Sequence, residues 1–218
     1  MISLSEWRLY VIVDRAAIGS RDLVEMASAA IRGGADVIQL RDKTASTRQL
    51  LDEAQELLCL TQHAGVALII NDRVDVASTV GAGGVHLGQE DLPVEAARKM
   101  LGAGRLIGKS THSLEQALVA QAEGADYIGF GPIFPTPTKP EYGSIGSALI
   151  RQVAQQVRLP IICIGGIDER TLPQVMQRGA ERIAVVRAVC GAKDPEAAAR
   201  ELKTTLTQFS RSSVPSRL

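Results

Sequence analysis

The stretch "RGGADVIQL" (residues 32–40) reads as the end of a helix, a turn and the start of a strand. Glycine just past a helix end accepts the left-handed conformation that closes the last turn. The apolar run behind it has the length of a strand buried on both faces of a parallel sheet. The same plan returns as "GAGGVHLG" (81–88), "AEGADYIGFG" (122–131) and "QRGAERIAVV" (177–186). Between these copies lie four more short apolar runs: "LYVIVD" (9–14), "ALIIND" (67–72), "LIGKST" (106–111) and "PIICIG" (160–165). The stretches separating the strands are amphipathic and helical, and several open on usable caps: Ser46 with Gln49, Ser113 with Gln116, and Asp194 followed by Pro195. Eight strands alternating with eight helices point to an α/β fold, a compact single-domain (β/α)8 TIM barrel with short loops. The other home for such alternation is a doubly wound open sheet, which the regular spacing and the count of eight disfavour. Residues 1–208 are expected to form this one domain, and the polar 209–218 a disordered C-terminal tail.

Composition narrows the function. The 218 residues carry no formal net charge, with 24 basic and 24 acidic side chains. That excludes a generic polyanion binder, which shows a basic excess, so any anion site must be local. Aromatic residues are only 3%, too few for a base-stacking platform. Cys59, Cys163 and Cys190 lie far apart without metal or disulfide spacing, which fits a reducing cytoplasm. No apolar run has the length of a signal peptide or a membrane span. A small-molecule partner is expected, neither nucleic acid nor membrane, with a homo-oligomer open.

A barrel of this kind places its active site at the C-terminal ends of its strands, and there the charge gathers. Strand two ends in Gln39, Arg41 and Lys43, which alternate and can share a face. Strand three ends in Asn71, Asp72 and Arg73; strand four leads to Gln89 and Asp91; strand five ends in Ser110 and His112. After strand six comes "GFGPIFPTPTKPEYG" (129–143), stiffened by four prolines and holding Thr136, Thr138 and Lys139. Strand seven ends in Gly165-Gly166 and strand eight in Arg187. Cations alone would suggest an anion. Carboxylates among them suggest a hard metal bridging to that anion, since Mg²⁺ is commonly held by one or two carboxylates plus substrate phosphates. The turns after strands seven and eight are where barrels often bind one phosphate on backbone N–H groups. The residues therefore read as a site for two phosphorylated substrates, one with a metal-bound diphosphate.

The stretches "QLRDK" (39–43), "NDRVDVA" (71–77), "GVHLGQEDL" (84–92), "STHSLEQA" (110–117), "GADYIGFGPIFPTPTK" (124–139), "IGGI" (164–167) and "GAERIAVV" (179–186) resemble the thiamine phosphate synthase family in order and spacing. The resemblance implies a TIM-barrel transferase. Such an enzyme joins an aminopyrimidine carried on a methyl diphosphate to a thiazole bearing an ethyl phosphate, or to its carboxylated form with loss of CO₂. It further implies that Gln39, Leu40, Arg41, Asp42, Lys43, Asn71, Ser110 and Lys139 hold the pyrimidine diphosphate. Thr136, Pro137, Thr138, Gly166, Val186 and Arg187 would hold the thiazole phosphate, and Asp72 and Asp91 would bind Mg²⁺.

Each assignment has a plainer competitor. Asp72 fits a helix cap as well as a metal ligand; Ser110 fits a helper to the Ser113 cap; Gly165-Gly166 fits a tight turn. His86 reads as a structural histidine directed at the helix layer. His112 stands where the related thiazole tautomerases use a histidine, so a metal-independent tautomerase is the first alternative and a non-catalytic phosphometabolite-binding regulator the second. "QLRDK", both aspartates and "TPTK" favour the synthase. Arg187 departs from the family pattern, which usually has a small hydroxyl residue there. It could bind the phosphate in bidentate fashion or alter the choice of thiazole. Lys109 carries no firm reading.

Overall fold

The computed structural model describes residues 3–137 and 143–212. Eight strands follow in order: β1 (Leu9–Asp14), β2 (Val37–Arg41), β3 (Ala67–Asn71), β4 (Gly84–Leu87), β5 (Leu106–Thr111), β6 (Tyr127–Phe130), β7 (Ile161–Ile164) and β8 (Ile183–Val185). All pairings are parallel, each strand beside its sequence neighbour, and β8 returns to β1 with Leu9 opposite Ile183. The sheet is thus a closed barrel, and the open-sheet alternative is excluded.

One helix follows each strand: α2 (Leu23–Arg32), α3 (Thr47–Ala64), α4 (Val74–Val80), α5 (Val94–Leu101), α6 (Leu114–Ala122), α7 (Leu149–Gln156), α8 (Leu172–Gln177) and α10 (Pro195–Ser212). Two four-residue helices, α1 (Arg15–Ile18) and α9 (Arg187–Cys190), sit at the ends of β1 and β8. The caps legible in the sequence are made. Ser46 and Gln49 form a reciprocal capping box on α3, Ser113 accepts from Gln116 N–H on α6, and Asp194 accepts from Ala197 N–H on α10. The repeated glycines, Gly34, Gly81, Gly124 and Gly179, all hold positive φ. The polar residue of the repeat also has work. Asp36 accepts the N–H groups of Arg8 and Leu9 at 2.8 and 2.9 Å, and Asp126 accepts that of Ile107 at 2.6 Å. Each carboxylate caps the start of a neighbouring strand. Among the described residues no helix is long and apolar enough to cross a membrane.

Strand residues alternate between two cores. Leu9, Val11, Val13, Ile38, Leu40, Leu68 and Ile70 face outward into the layer shared with the helices. Trp7, Tyr10, Ile12, Val37, Ala67, Ile69, Tyr127, Ile162 and Ala184 fill the barrel interior. Trp7 plugs the N-terminal end, edge-on to Tyr10 and Tyr127 at centroid distances of 6.0 and 5.7 Å. With Trp7 packed at that end, the interior opens toward the C-terminal ends of the strands.

Candidate active site

At that open end lies a cavity of about 420 Å³, within the range of small-molecule sites. Its wall includes Gln39, Arg41, Asn71, Asp72, Ser110, Thr136, Pro137, Gly166, Val186 and Arg187. Residues from strands on all sides of the barrel thus converge on one space.

The charged wall is built from β2 to β4. Arg41 at the end of β2 is ion-paired with Asp14, whose other oxygen accepts the N–H groups of Ala16 and Ala17 at 2.9 and 3.2 Å. The α1 cap therefore also anchors the guanidinium. Lys43, two residues on, reaches the Asp72 carboxylate. Asp72 holds φ at 61°, a left-handed conformation that is uncommon outside glycine. Its N–H donates to His86 O at 2.8 Å, which fixes the turn. The residue that caps α4 is Arg73, with no side-chain cap bond, so Asp72 is not spent as a cap.

Asp91 lies close by, its carboxylate accepting the Gly88 N–H at 2.6 Å. Burial raises the Asp72 carboxyl above its usual range, and its hydrogen bond with Asp91 raises it further against the pull of Lys43. Burial also opposes charge on Asp91. The bonds from Asp72 and Gly88 and the nearby Lys43 and Lys109 outweigh it, and Asp91 is held below the usual range. Two carboxylates crowded in this way favour either a shared proton or a cation between them. Among the described residues no group of three or more His, Cys, Asp or Glu side chains gathers as a metal site. A pair of carboxylates is a donor set that suits a small, hard divalent ion completed by water and substrate oxygens. Lys109 now has a place: it is 7% exposed and donates to Gly88 O at 2.8 Å, bracing the turn that holds Asp91.

The floor is polar. Gln39 Nε2 donates to Tyr10 OH at 2.7 Å, and Tyr10 OH lies 3.1 Å from Tyr127 OH. Tyr127 OH is 3.3 Å from His86 Nδ1, and His86 Nε2 is 3.0 Å from Ser110 Oγ. Ser110 is therefore tied to His86 inside the barrel and plays no part in the Ser113 cap. His86 lines the cavity, contrary to its expected direction toward the helices, because residue 86 shares strand parity with Gly84 and Gly88 on the inner face. Gln89 Nε2 donates to Ser110 O, so this neighbour of Asp91 braces β5.

The opposite wall runs from β6 to β8. A side chain at Gly166 would place its Cβ 2.6 Å from Phe134 Cβ and 2.8 Å from Pro135 O. The pair Gly165-Gly166 is thus needed for the proline-rich loop to close down, and Gly166 also lines the cavity. Val186 and Arg187 begin α9, and the exposed Arg187 reaches the cavity wall. His112 is also on this surface, its Nδ1 against Gly131 O.

Two of the expected residues point elsewhere. Leu40 is fully buried in the outer core, on the face opposite Gln39 and Arg41. Asp42 turns its carboxylate onto Thr44 N–H at 2.7 Å, Thr44 Oγ1 at 2.8 Å and Ala45 N–H at 2.9 Å. It shapes the turn before α3 and lines none of the cavity. Thr138 and Lys139 lie outside the described residues. Sequence reasoning missed Tyr10 and Tyr127, whose only signal is inward parity on strands that read as apolar, and Asp14, whose carboxylate ends the apolar run of β1.

The family model described as thiamine monophosphate synthase matches residues 9–189. A thiamine-phosphate synthase of Chloroflexus aurantiacus is 50% identical over 203 residues, 93% of this chain and 94% of that protein. The thiamine-phosphate synthase of Shouchella clausii is 44% identical over 95% of this chain and all of its own length. Among solved structures, a thiamine phosphate pyrophosphorylase from Pyrococcus furiosus superposes with a TM-score of 0.87 at 39% identity, covering 93% of this chain and 96% of that one.

Proposed function

The chain belongs to the thiamine monophosphate synthase family, a family of transferases, and we propose that its cavity joins a pyrimidine-methyl diphosphate to a thiazole ethyl phosphate. The observation that carries this reading is that Arg41 and Asp72, the latter paired with Lys43 and beside Asp91, line the same cavity as Gly166, Val186 and Arg187. One wall suits a metal-bound diphosphate; the other suits a single phosphate held by backbone N–H groups and a guanidinium.

Asp72 and Asp91 would hold Mg²⁺, which supplies charge neutralisation to the departing diphosphate. Arg41, Lys43 and Lys139 would stabilise the negative charge that develops on the same group. Its C–O bond breaks with both electrons leaving on oxygen, which gives a pyrimidine-methyl cation and free diphosphate. Gln39, Asn71 and Ser110 would fix the pyrimidine ring over the barrel floor. Thr136, Thr138 and the turns at Gly166 and Val186–Arg187 would hold the thiazole phosphate so that the thiazole nitrogen lone pair attacks the methylene carbon. The product is thiamine phosphate, with CO₂ also lost when the carboxylated thiazole is used. Such chemistry needs positioned reactants and preorganised charge more than a strong general base. That agrees with a cavity whose wall holds Arg41 and Arg187 beside the amides of Gln39 and Asn71. A reducing cytoplasm is the compartment proposed for it, on the strength of three free cysteines.

The test is to mix the purified protein with pyrimidine diphosphate, thiazole phosphate and Mg²⁺ and to follow thiamine phosphate as its fluorescent oxidation product. Metal-dependent product is expected. A folded sample that makes none, yet isomerises the carboxythiazole phosphate without metal, would replace this reading with the tautomerase.

A further inference from the structure

The five side chains on the cavity floor make a continuous chain from β2 to β5: Gln39, Tyr10, Tyr127, His86 and Ser110. Tyr10 and Tyr127 are 3% and 0% exposed, so their hydroxyls must find partners within the protein, and Gln39 and His86 supply them at either end. The backbone makes room for them. A Cβ at position 108 would fall 2.4 Å from His86 Nδ1 and 2.2 Å from Tyr127 Cζ, and glycine stands there.

Each hydroxyl has one proton to give, and a neutral imidazole has one N–H. The chain therefore has two self-consistent polarities. The Gln39 amide gives its N–H to Tyr10. Tyr10 must then spend its proton on Tyr127, the only other hydrogen-bond partner of its hydroxyl among the described residues. Tyr127 donates in turn to His86 Nδ1, which leaves the proton on Nε2 for Ser110 Oγ. Ser110 keeps its own hydroxyl proton for the cavity, and Gln39 keeps its carbonyl oxygen. Burial pushes both phenols upward, so neither end of the tyrosine pair ionises near neutral pH.

We propose that Tyr10, Tyr127 and His86 are positioning residues of a polarised relay. It holds His86 as the Nε2–H tautomer and presents an acceptor at Gln39 and a donor at Ser110 on opposite sides of the floor. Which ligand uses the ends rests on the proposed function: the Gln39 carbonyl suits the amino group of an aminopyrimidine, and the Ser110 hydroxyl suits a ring nitrogen or phosphate oxygen. The polarity itself belongs to the free protein.

The tautomer is read directly by nitrogen NMR of protein labelled with ¹⁵N-histidine near pH 8. The chain has only three histidines, and a His86→Gln sample identifies the signal. Nε2–H is expected in the wild type. Gln39→Glu puts an acceptor against Tyr10, so every bond must reverse and His86 must move to Nδ1–H. Tyr127→Phe keeps the buried ring but breaks the chain. It should raise KM for the pyrimidine diphosphate about tenfold, the worth of one buried hydrogen bond, while KM for the thiazole phosphate stays put. Nδ1–H in the wild type, an unmoved tautomer in Gln39→Glu, or an unchanged pyrimidine KM in Tyr127→Phe would each overturn the relay. A wild-type protein that makes no thiamine phosphate would instead refute the proposed function and leave the tautomer result standing.

Discussion

Replacing Gly108 with alanine adds one methyl group at the point where the β5 backbone passes beneath two rings. The new Cβ would sit 2.2 Å from Tyr127 Cζ, 2.5 Å from Tyr127 Cε2 and 2.4 Å from His86 Nδ1. Carbon atoms rest at about 3.5–4.0 Å, so the rings must retreat by more than about 1 Å. Tyr127 is fully buried, with Trp7 and Tyr10 packed edge-on against it, and has nowhere to go. Overpacking of this kind costs about 1–3 kcal/mol. Spreading His86 from Tyr127 also breaks their 3.3 Å contact, worth about 0.5–1.5 kcal/mol. Gly108 is not among the positive-φ glycines, so alanine brings no backbone strain to confuse the result. The sum, about 2–4 kcal/mol, lowers Tm by roughly 5–15 °C in a chain of this size. Thermal unfolding by circular dichroism reads the stability, and pyrimidine KM at a temperature where both proteins are folded reads the floor. A variant with wild-type Tm would show that the rings yield freely, and the argument that glycine is needed here would fall.

Three further outcomes follow from the same geometry. Asp14→Asn keeps the cap on α1 but removes the charge that anchors Arg41; kcat/KM for the pyrimidine diphosphate should fall about tenfold, and lost stability with unchanged kcat/KM would mean the pair is structural only. Arg187→Ser should raise KM for the thiazole phosphate about tenfold with kcat preserved, as expected for a contact equal in ground and transition states; an unchanged KM would refute direct phosphate binding. Burial pushes the Cys163 and Cys190 thiols up to about 12 and about 11 while Cys59 is exposed, so a thiol reagent at pH 8 should titrate one group in the native protein and three after denaturation.

The barrel is legible in the sequence because its signature is local. The recurring unit spends a glycine on the turn and a short apolar run on the sheet, and in two copies a carboxylate on a neighbouring strand's N–H groups, as Gly34, Asp36 and Val37–Leu40 show. The charged mouth is legible for a related reason: Arg41, Asn71 and Asp72 break apolar runs at their C-terminal ends. The floor is not. A strand buried on both faces reads as apolar throughout, and nothing in "LYVIVD" says whether Tyr10 or Val11 faces the barrel axis. His86 shows the same blindness. Alternation fixes that it opposes Val85 and Leu87, but the sign of that alternation comes only from closing the ring. Leu40 and Asp42 illustrate the converse: a motif such as "QLRDK" marks a place in the fold, while only parity and turn geometry decide which of its members reach the ligand.

The division of labour around the ring follows from these constraints. Strands β2 to β4 lead to Arg41, Lys43 and the Asp72–Asp91 pair, while β7 ends in the Gly165-Gly166 pair and β8 in the turn into α9. On the proposed reading, charge is placed where a diphosphate would leave, and close backbone approach where a phosphate would only be held. Two small rings and their phosphates would share a cavity of about 420 Å³, so each reactant would displace water from beside the other. Crowding of that kind is what a reaction through a short-lived cation needs, since water is the nucleophile that would compete with the thiazole nitrogen.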